Sequence, residues 1–158
     1  MVKIIAMERP RLIVDVMLGR LARWLRLLGY DTFYKRDITD AELIRIAKQD
    51  HRLILTRDRE IFRKVKDQCI FIHSELVLEQ LRQVLSLLNE KGERLEPFSR
   101  CVNCNTSLEE IKKEEVLGLV PDHIYATIPR FVMCPACKKI YWRGSHEKRI
   151  KELLGELI

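Results

Sequence analysis

Two Cys-x-x-Cys pairs constrain this chain more than any other feature. They are Cys101-Val-Asn-Cys104 and Cys134-Pro-Ala-Cys137, separated by residues 105–133. Each pair sets two thiols on one side of a tight turn. Two such turns supply the four soft ligands that tetrahedral Zn²⁺ prefers. Four sulfurs fill the coordination sphere and leave no open position for water, so the expected metal is structural. Its binding energy helps to fold a segment too poor in core to fold unaided. The competing reading, two disulfides, needs an oxidising compartment. Met1 to Met7 is mildly apolar, but Glu8, Arg9, Pro10 and Arg11 cut it short, so no signal peptide is expected. No apolar run approaches the roughly 18 residues of a membrane span. A soluble, cytoplasmic chain with reduced thiols is the expectation. The fifth cysteine, Cys69, sits in the apolar run Cys69-Ile-Phe-Ile72 and reads as a small core residue.

Ahead of the cysteines, residues 11–98 alternate short apolar runs with helical patterns. Leu12-Ile13-Val14, Thr32-Phe33-Tyr34, Leu53-Ile-Leu-Thr56 and Cys69 to Ile72 are strand candidates. Between them, Leu18, Leu21, Ala22, Leu25 and Leu28 recur at helical spacing until Gly29 stops the helix. Thr39 caps a second helix through Leu43, Ile44 and Ala47, with Glu42 placed to complete a capping box. A third helix is expected near Arg59 to Lys66, and a long one carries Leu76, Leu81, Val84, Leu85 and Leu88. Such alternation means βαβ units and a parallel sheet. Continuous apolar strands mean that both sheet faces are covered. Lys91-Gly92-Glu93 marks a boundary, and Ser145 to Ile158 reads as a terminal helix. We therefore expect an α/β domain over residues 1–95 and a zinc ribbon with a C-terminal helix over 96–158.

Acidic residues fall where ligands bind in such sheets, beyond the carboxyl ends of the strands. Asp15 ends the first strand and Asp58 follows the third, while Asp37 and Asp40 precede or open the second helix. Helix N-termini face the same sheet edge. Converging carboxylates repel one another and invite a hard cation such as Mg²⁺ or Mn²⁺. Arginines 36, 57 and 59 beside them suit a phosphodiester. The competing reading makes each aspartate a turn or cap residue. Arg20, Arg23 and Arg26 recur every three residues on the first helix, either as a phosphate-tracking stripe or as a solvated face. Trp24 beside them reads as packing. The net charge of +6 leans toward anionic partners. Arg130, Lys138, Lys139, Arg143, Lys148 and Arg149 would give the ribbon a basic rim. His146 reads as a surface or capping histidine.

The stretch from Ile13 to Asp31, with Asp15, Gly19, Arg20, Arg23, Trp24, Arg26 and Gly29, resembles the opening of the Mut-seven C-terminal RNase domain family, a branch of the PIN-like nucleases. Arg52-Leu-Ile-Leu-Thr-Arg57-Asp58-Arg59 resembles its second hallmark. The cysteine knuckles and Tyr141-Trp-Arg-Gly-Ser-His146 resemble its zinc-ribbon tail. The resemblance runs from about residue 11 to residue 146. It implies a PIN-like three-layer α/β/α sandwich with a parallel sheet, acids at a divalent-metal site, and RNA cleavage. By position the acids are Asp15, Asp40 and Asp58. A fourth acid, common in PIN-like nucleases shortly after the third-strand one, is offered here only by Glu60 or Asp67.

The expected function is therefore a Mg²⁺- or Mn²⁺-dependent ribonuclease acting on single-stranded or structured RNA. Asp15, Asp40 and Asp58 would hold the metal, and Arg20, Arg23 and Arg57 the backbone phosphates. A non-catalytic RNA- or ribosome-binding module, with the ribbon as reader, is the alternative. A phospho-acceptor receiver shares the strand-end acids but lacks the arginine helix and the ribbon.

Overall fold

The computed structural model describes residues 9–89 and 95–157. Met1–Met7, the boundary at Lys91–Glu93 and the side chain of His146 lie outside the described parts. Four apolar runs form a wholly parallel sheet: β1 (Arg11–Val14), β2 (Thr32–Phe33), β3 (Arg52–Thr56) and β4 (Cys69–Phe71), in the order β2-β1-β3-β4. Alternate side chains of each strand go to opposite faces. Leu12, Val14 and Leu55 enter a core with α1 (Gly19–Leu27) and α4 (Val77–Asn89), through Leu21, Leu25, Leu81, Val84 and Leu85. Ile13, Ile54 and Cys69 enter a second core with α2 (Asp40–Gln49) and α3 (Arg59–Lys64), through Leu43, Ala47 and Ile61. The result is the expected three-layer α/β/α sandwich. Cys69 is a core residue, and Trp24 packs against the first core.

Local chemistry sets the element ends. Gly29 adopts φ +97°, and a Cβ there would lie 2.5 Å from the Glu96 carbonyl oxygen, so only glycine lets the chain turn from α1 into β2. Thr39 Oγ1 accepts from the Glu42 N–H at 3.2 Å. The reciprocal half of the expected capping box is replaced, because the Glu42 carboxylate pairs with Lys35 at 3.3 Å.

The cysteine-bearing part has its own antiparallel sheet of β5 (Glu109–Ile111), β6 (Phe131–Met133) and β7 (Ile140–Trp142), in that order. A short helix, α5 (Asp122–Thr127), lies between β5 and β6 in sequence. Val116, Val120 and Phe131 make a small core of their own. The terminal helix α6 (Ser145–Leu157) inserts Ile150 into the first core, alongside α1 and α4. The linker crosses α1 as well, with Glu96 and Phe98 donating N–H bonds to the Leu28 and Leu27 carbonyls at 3.1 Å each. Among the described residues, no helix is long and apolar enough to cross a membrane.

Candidate metal centres and their surroundings

The two cysteine knuckles are built alike. Cys101 donates its N–H to the Thr106 carbonyl at 2.8 Å, and Cys134 donates to that of Lys139 at 2.9 Å. The residue after each pair returns an N–H to the first cysteine's carbonyl at 2.9 Å, from Asn105 and Lys138 respectively. Both take the left-handed conformation, at φ 64° and 65°, where asparagine is tolerated and lysine is uncommon. The Cys104 and Cys137 N–H groups point at the Sγ of Cys101 and Cys134, at 3.4 and 3.5 Å.

All four Sγ atoms lie within 4.8 Å of one another, and all four thiols are free. Cys101 and Cys137 Sγ are 3.7 Å apart. Tetrahedral sulfurs at a Zn–S distance of about 2.3 Å sit about 3.8 Å apart, so the donor set and its spacing fit Zn²⁺. Burial alone would raise the Cys101 thiol, but bonds from Tyr141 and from the Cys104 and Asn103 backbone bring it down to about 6. Within the knuckle Cys101 thus favours the thiolate, the form that binds metal, whereas a hydrogen bond with Cys137 pushes the Cys104 thiol up to about 12.

The first knuckle is bonded to the larger domain. Arg26, only 7% exposed, donates Nε to the Thr32 carbonyl at 2.9 Å. Its Nη1 reaches the Val102 and Asn103 carbonyls inside the knuckle at 3.0 and 3.1 Å. Asn105 accepts the Thr32 N–H at 2.9 Å and donates to Asp31 at 2.7 Å. Arg23 donates to Asn103 at 3.1 Å. The arginine row is therefore not one solvated ridge. Steps of three residues walk about 60° backward around a helix, which turns Arg26 into the interior while Arg20 stays exposed.

At the carboxyl edge of the parallel sheet, strand order reverses between β1 and β3, the position where such sheets form a ligand crevice. Asp15 and Asp58 flank it. Asp15 is 3% exposed. Its Oδ1 accepts the Val16 N–H at 2.7 Å and its Oδ2 the Thr56 hydroxyl at 2.8 Å. The same hydroxyl accepts the Asp58 N–H at 2.9 Å, so one buried threonine links the two acids. Asp58 caps α3 through Oδ1 to the Glu60 N–H at 2.8 Å. Asp40 opens α2, is exposed, and makes no hydrogen bond or ion pair with any described residue. Desolvation raises its carboxyl above the ordinary aspartate value, and the charges of Asp15 and Asp58 raise it further. Among the described residues, no three carboxylates approach as closely as the thiols do.

Of the remaining candidates, Asp37 is exposed in the turn before α2. Glu60 adds to the field at Asp40, whereas Asp67 precedes β4 at the opposite edge of the sheet. Arg57 donates to the Ile72 and His73 carbonyls at 3.3 and 2.8 Å and pairs with Glu75 at 3.7 Å. The six basic rim residues of the ribbon are exposed. Sequence reasoning missed Thr56, Asn105 and Tyr141. The Thr-x-Asp spacing of Thr56 and Asp58 was the available signal for the first.

A family model described as Mut7-C RNAse domain matches residues 10–154, a span that takes in the three acids and all four cysteines. None of the curated proteins and none of the solved structures matches the chain. The fold, the paired knuckles and the extent of that match lead to one assignment: the chain belongs to the Mut7-C RNAse domain family, whose name carries ribonuclease activity and RNA as its substrate.

Proposed function

We propose that the protein is a divalent-metal-dependent ribonuclease whose Mg²⁺ or Mn²⁺ is held by Asp15, Asp40 and Asp58. What supports this reading is Asp40, an exposed carboxyl at the start of α2 with no hydrogen-bond or ion-pair partner among the described residues, close enough to Asp15 and Asp58 to feel their charge. On this reading three segments of chain would bring negative charge to one crevice, and a hard cation would relieve that repulsion. Mg²⁺ keeps several waters and takes one or two carboxylates directly, so the three acids need not all ligate it. Such an ion, when bound, supplies a water of lowered pKa and neutralises charge on the phosphoryl oxygens. The protein's own part is positional. Thr56 and the Val16 N–H fix the Asp15 carboxylate, the α3 cap orients Asp58, and Asp40 is free to turn toward the ion. Arg20 is exposed and unpaired among the described residues, so it can meet a backbone phosphate. Arg23 and Arg57 would do so from positions already braced by protein partners. Free thiols and a thiolate-bound zinc fit a reducing compartment such as the cytoplasm.

The capping bonds of Asp15 and Asp58 favour a second reading, in which the acids are structural and the chain binds RNA or a ribosome through its ribbon. Cleavage of labelled single-stranded RNA separates the two. Mg²⁺ or Mn²⁺ is withheld and restored, rather than chelated, so that zinc stays in place. Asp40→Asn is the decisive variant because no fold-supporting bond is lost with it. The nuclease reading expects metal-dependent cleavage that slows at least about 100-fold in Asp40→Asn. RNA binding without metal-dependent cleavage would select the second reading.

A further inference from the structure

We propose that the groove between α3, β4 and α4 is a track for single-stranded RNA leading away from Asp58. The groove has a volume of about 670 Å³. Arg59, Arg63 and Lys66 line it, and none of the three has a hydrogen-bond or ion-pair partner among the described residues. No acidic side chain lines it. Phe62, Phe71 and His73 form a row of rings along it, with centroids 5.7 Å apart for the first pair and 5.3 Å for the second, each edge to face. Both phenylalanines are half-buried and His73 is exposed. Unpaired cations interleaved with accessible rings are what single-stranded nucleic acid requires: phosphates meet the charges and bases stack on the rings without regard to sequence. The groove begins with Arg59, one residue beyond Asp58, so a strand lying in it reaches the acid crevice.

The same edge of β4 would be the place for a peptide to add as a further strand, but that use is obstructed. The Gln83 side chain donates to the Phe71 carbonyl at 2.7 Å and accepts the His73 N–H at 3.1 Å. It thereby occupies the outward backbone pair that an incoming strand needs. The charge and the rings remain available while the backbone is closed, which favours RNA over a peptide.

The proposal rests on the nuclease reading for the direction of the track alone, so its test is binding. The affinity of a fluorescein-labelled oligouridylate is measured by anisotropy across a salt series, without divalent metal, for the full chain. The Arg63→Ala/Lys66→Ala double variant is expected to lower the log–log salt slope by about 1.4, since each single-strand phosphate contact contributes about 0.7. His73→Ala is expected to weaken binding roughly fivefold or more with the slope unchanged. Arg45→Ala, at an exposed α2 residue that does not line the groove, controls for the loss of a surface charge elsewhere. Affinity and slope equal to wild type in both groove variants would overturn the track, as would the same losses in Arg45→Ala. Losses confined to the groove variants, in a protein that never cleaves RNA with Mg²⁺, would leave the track standing and remove the nuclease reading. Intact cleavage and unchanged binding would do the reverse.

Discussion

Replacing Arg26 by methionine keeps most of the aliphatic stem and deletes the guanidinium. Three hydrogen bonds from a charged donor are lost, to the carbonyls of Thr32, Val102 and Asn103. Bonds to charged groups contribute about 1.5–3 kcal/mol each, but the three losses are not equal. The Asn103 carbonyl is in an exposed turn and recovers water, whereas that of Thr32 belongs to a fully buried residue and does not. Removing a buried cation also removes its desolvation cost, which already lowers the Arg26 pKa. A net loss of about 3 kcal/mol follows, a fall in melting temperature of roughly 6–12 °C for a chain of this size. The knuckle carbonyls lie between Cys101 and Cys104, so the affinity of the four-cysteine cluster for added zinc should fall about 10- to 100-fold as well. Urea unfolding followed by tryptophan fluorescence reads the first quantity, and competition with a chromogenic chelator reads the second. Arg20→Met, exposed and unbonded, is the control. Equal stability of the two variants within about 0.5 kcal/mol, with equal zinc retention, would refute the strut.

Other perturbations follow from the same geometry. Gly29→Ala drives a Cβ to 2.5 Å from the Glu96 carbonyl oxygen at φ +97° and should cost about 2 kcal/mol or more in urea unfolding. Burial would raise the Asp31 carboxyl, but bonds from Arg52 and Asn105 and the charge of Arg100 hold it below the ordinary aspartate range. Its stabilisation is then complete above the unfolded value of about 3.9 and lost as pH falls through the folded one. Asp31→Ala should be less stable by about 2 kcal/mol at neutral pH, with the gap to wild type closing below about pH 4. Gln83→Ala uncovers the β4 edge and should introduce concentration-dependent association, visible by light scattering.

The parallel sandwich was legible because buried strands in such sheets are continuous apolar runs. Leu12 to Val14 and Leu53 to Thr56 stand out on that ground, and Gly29 announces the end of α1. The four-cysteine cluster was legible because a tetrahedral thiolate site draws its cysteines from two Cys-x-x-Cys pairs, and both pairs stand out in the sequence. The ribbon's own strands were not legible. Each of β5, β6 and β7 is three residues long, too short for a two-residue period to register. Arg26 was misjudged for a related reason: spacing along a helix shows which residues share a face, but not what another part of the chain lays against it. Asp15 and Asp58 stand just past the carboxyl ends of β1 and β3, where topology expects them, whereas the Thr56 hydroxyl that joins them shows in sequence only as a Thr-x-Asp spacing, which does not reveal that the side chain turns back to Asp15.

The seam at Thr32 and Asn105 bears on how the chain is dissected. Trimming it after residue 95 would in one cut strip the Thr32 amide of its acceptor, Asp31 of a donor and Arg26 of two carbonyls. A shortened protein that fails to cut RNA would then be reporting a frayed sheet margin, not the loss of whatever the tail touches. Point changes on the tail's outer surface, with the cysteine knuckles whole, are the sounder instrument.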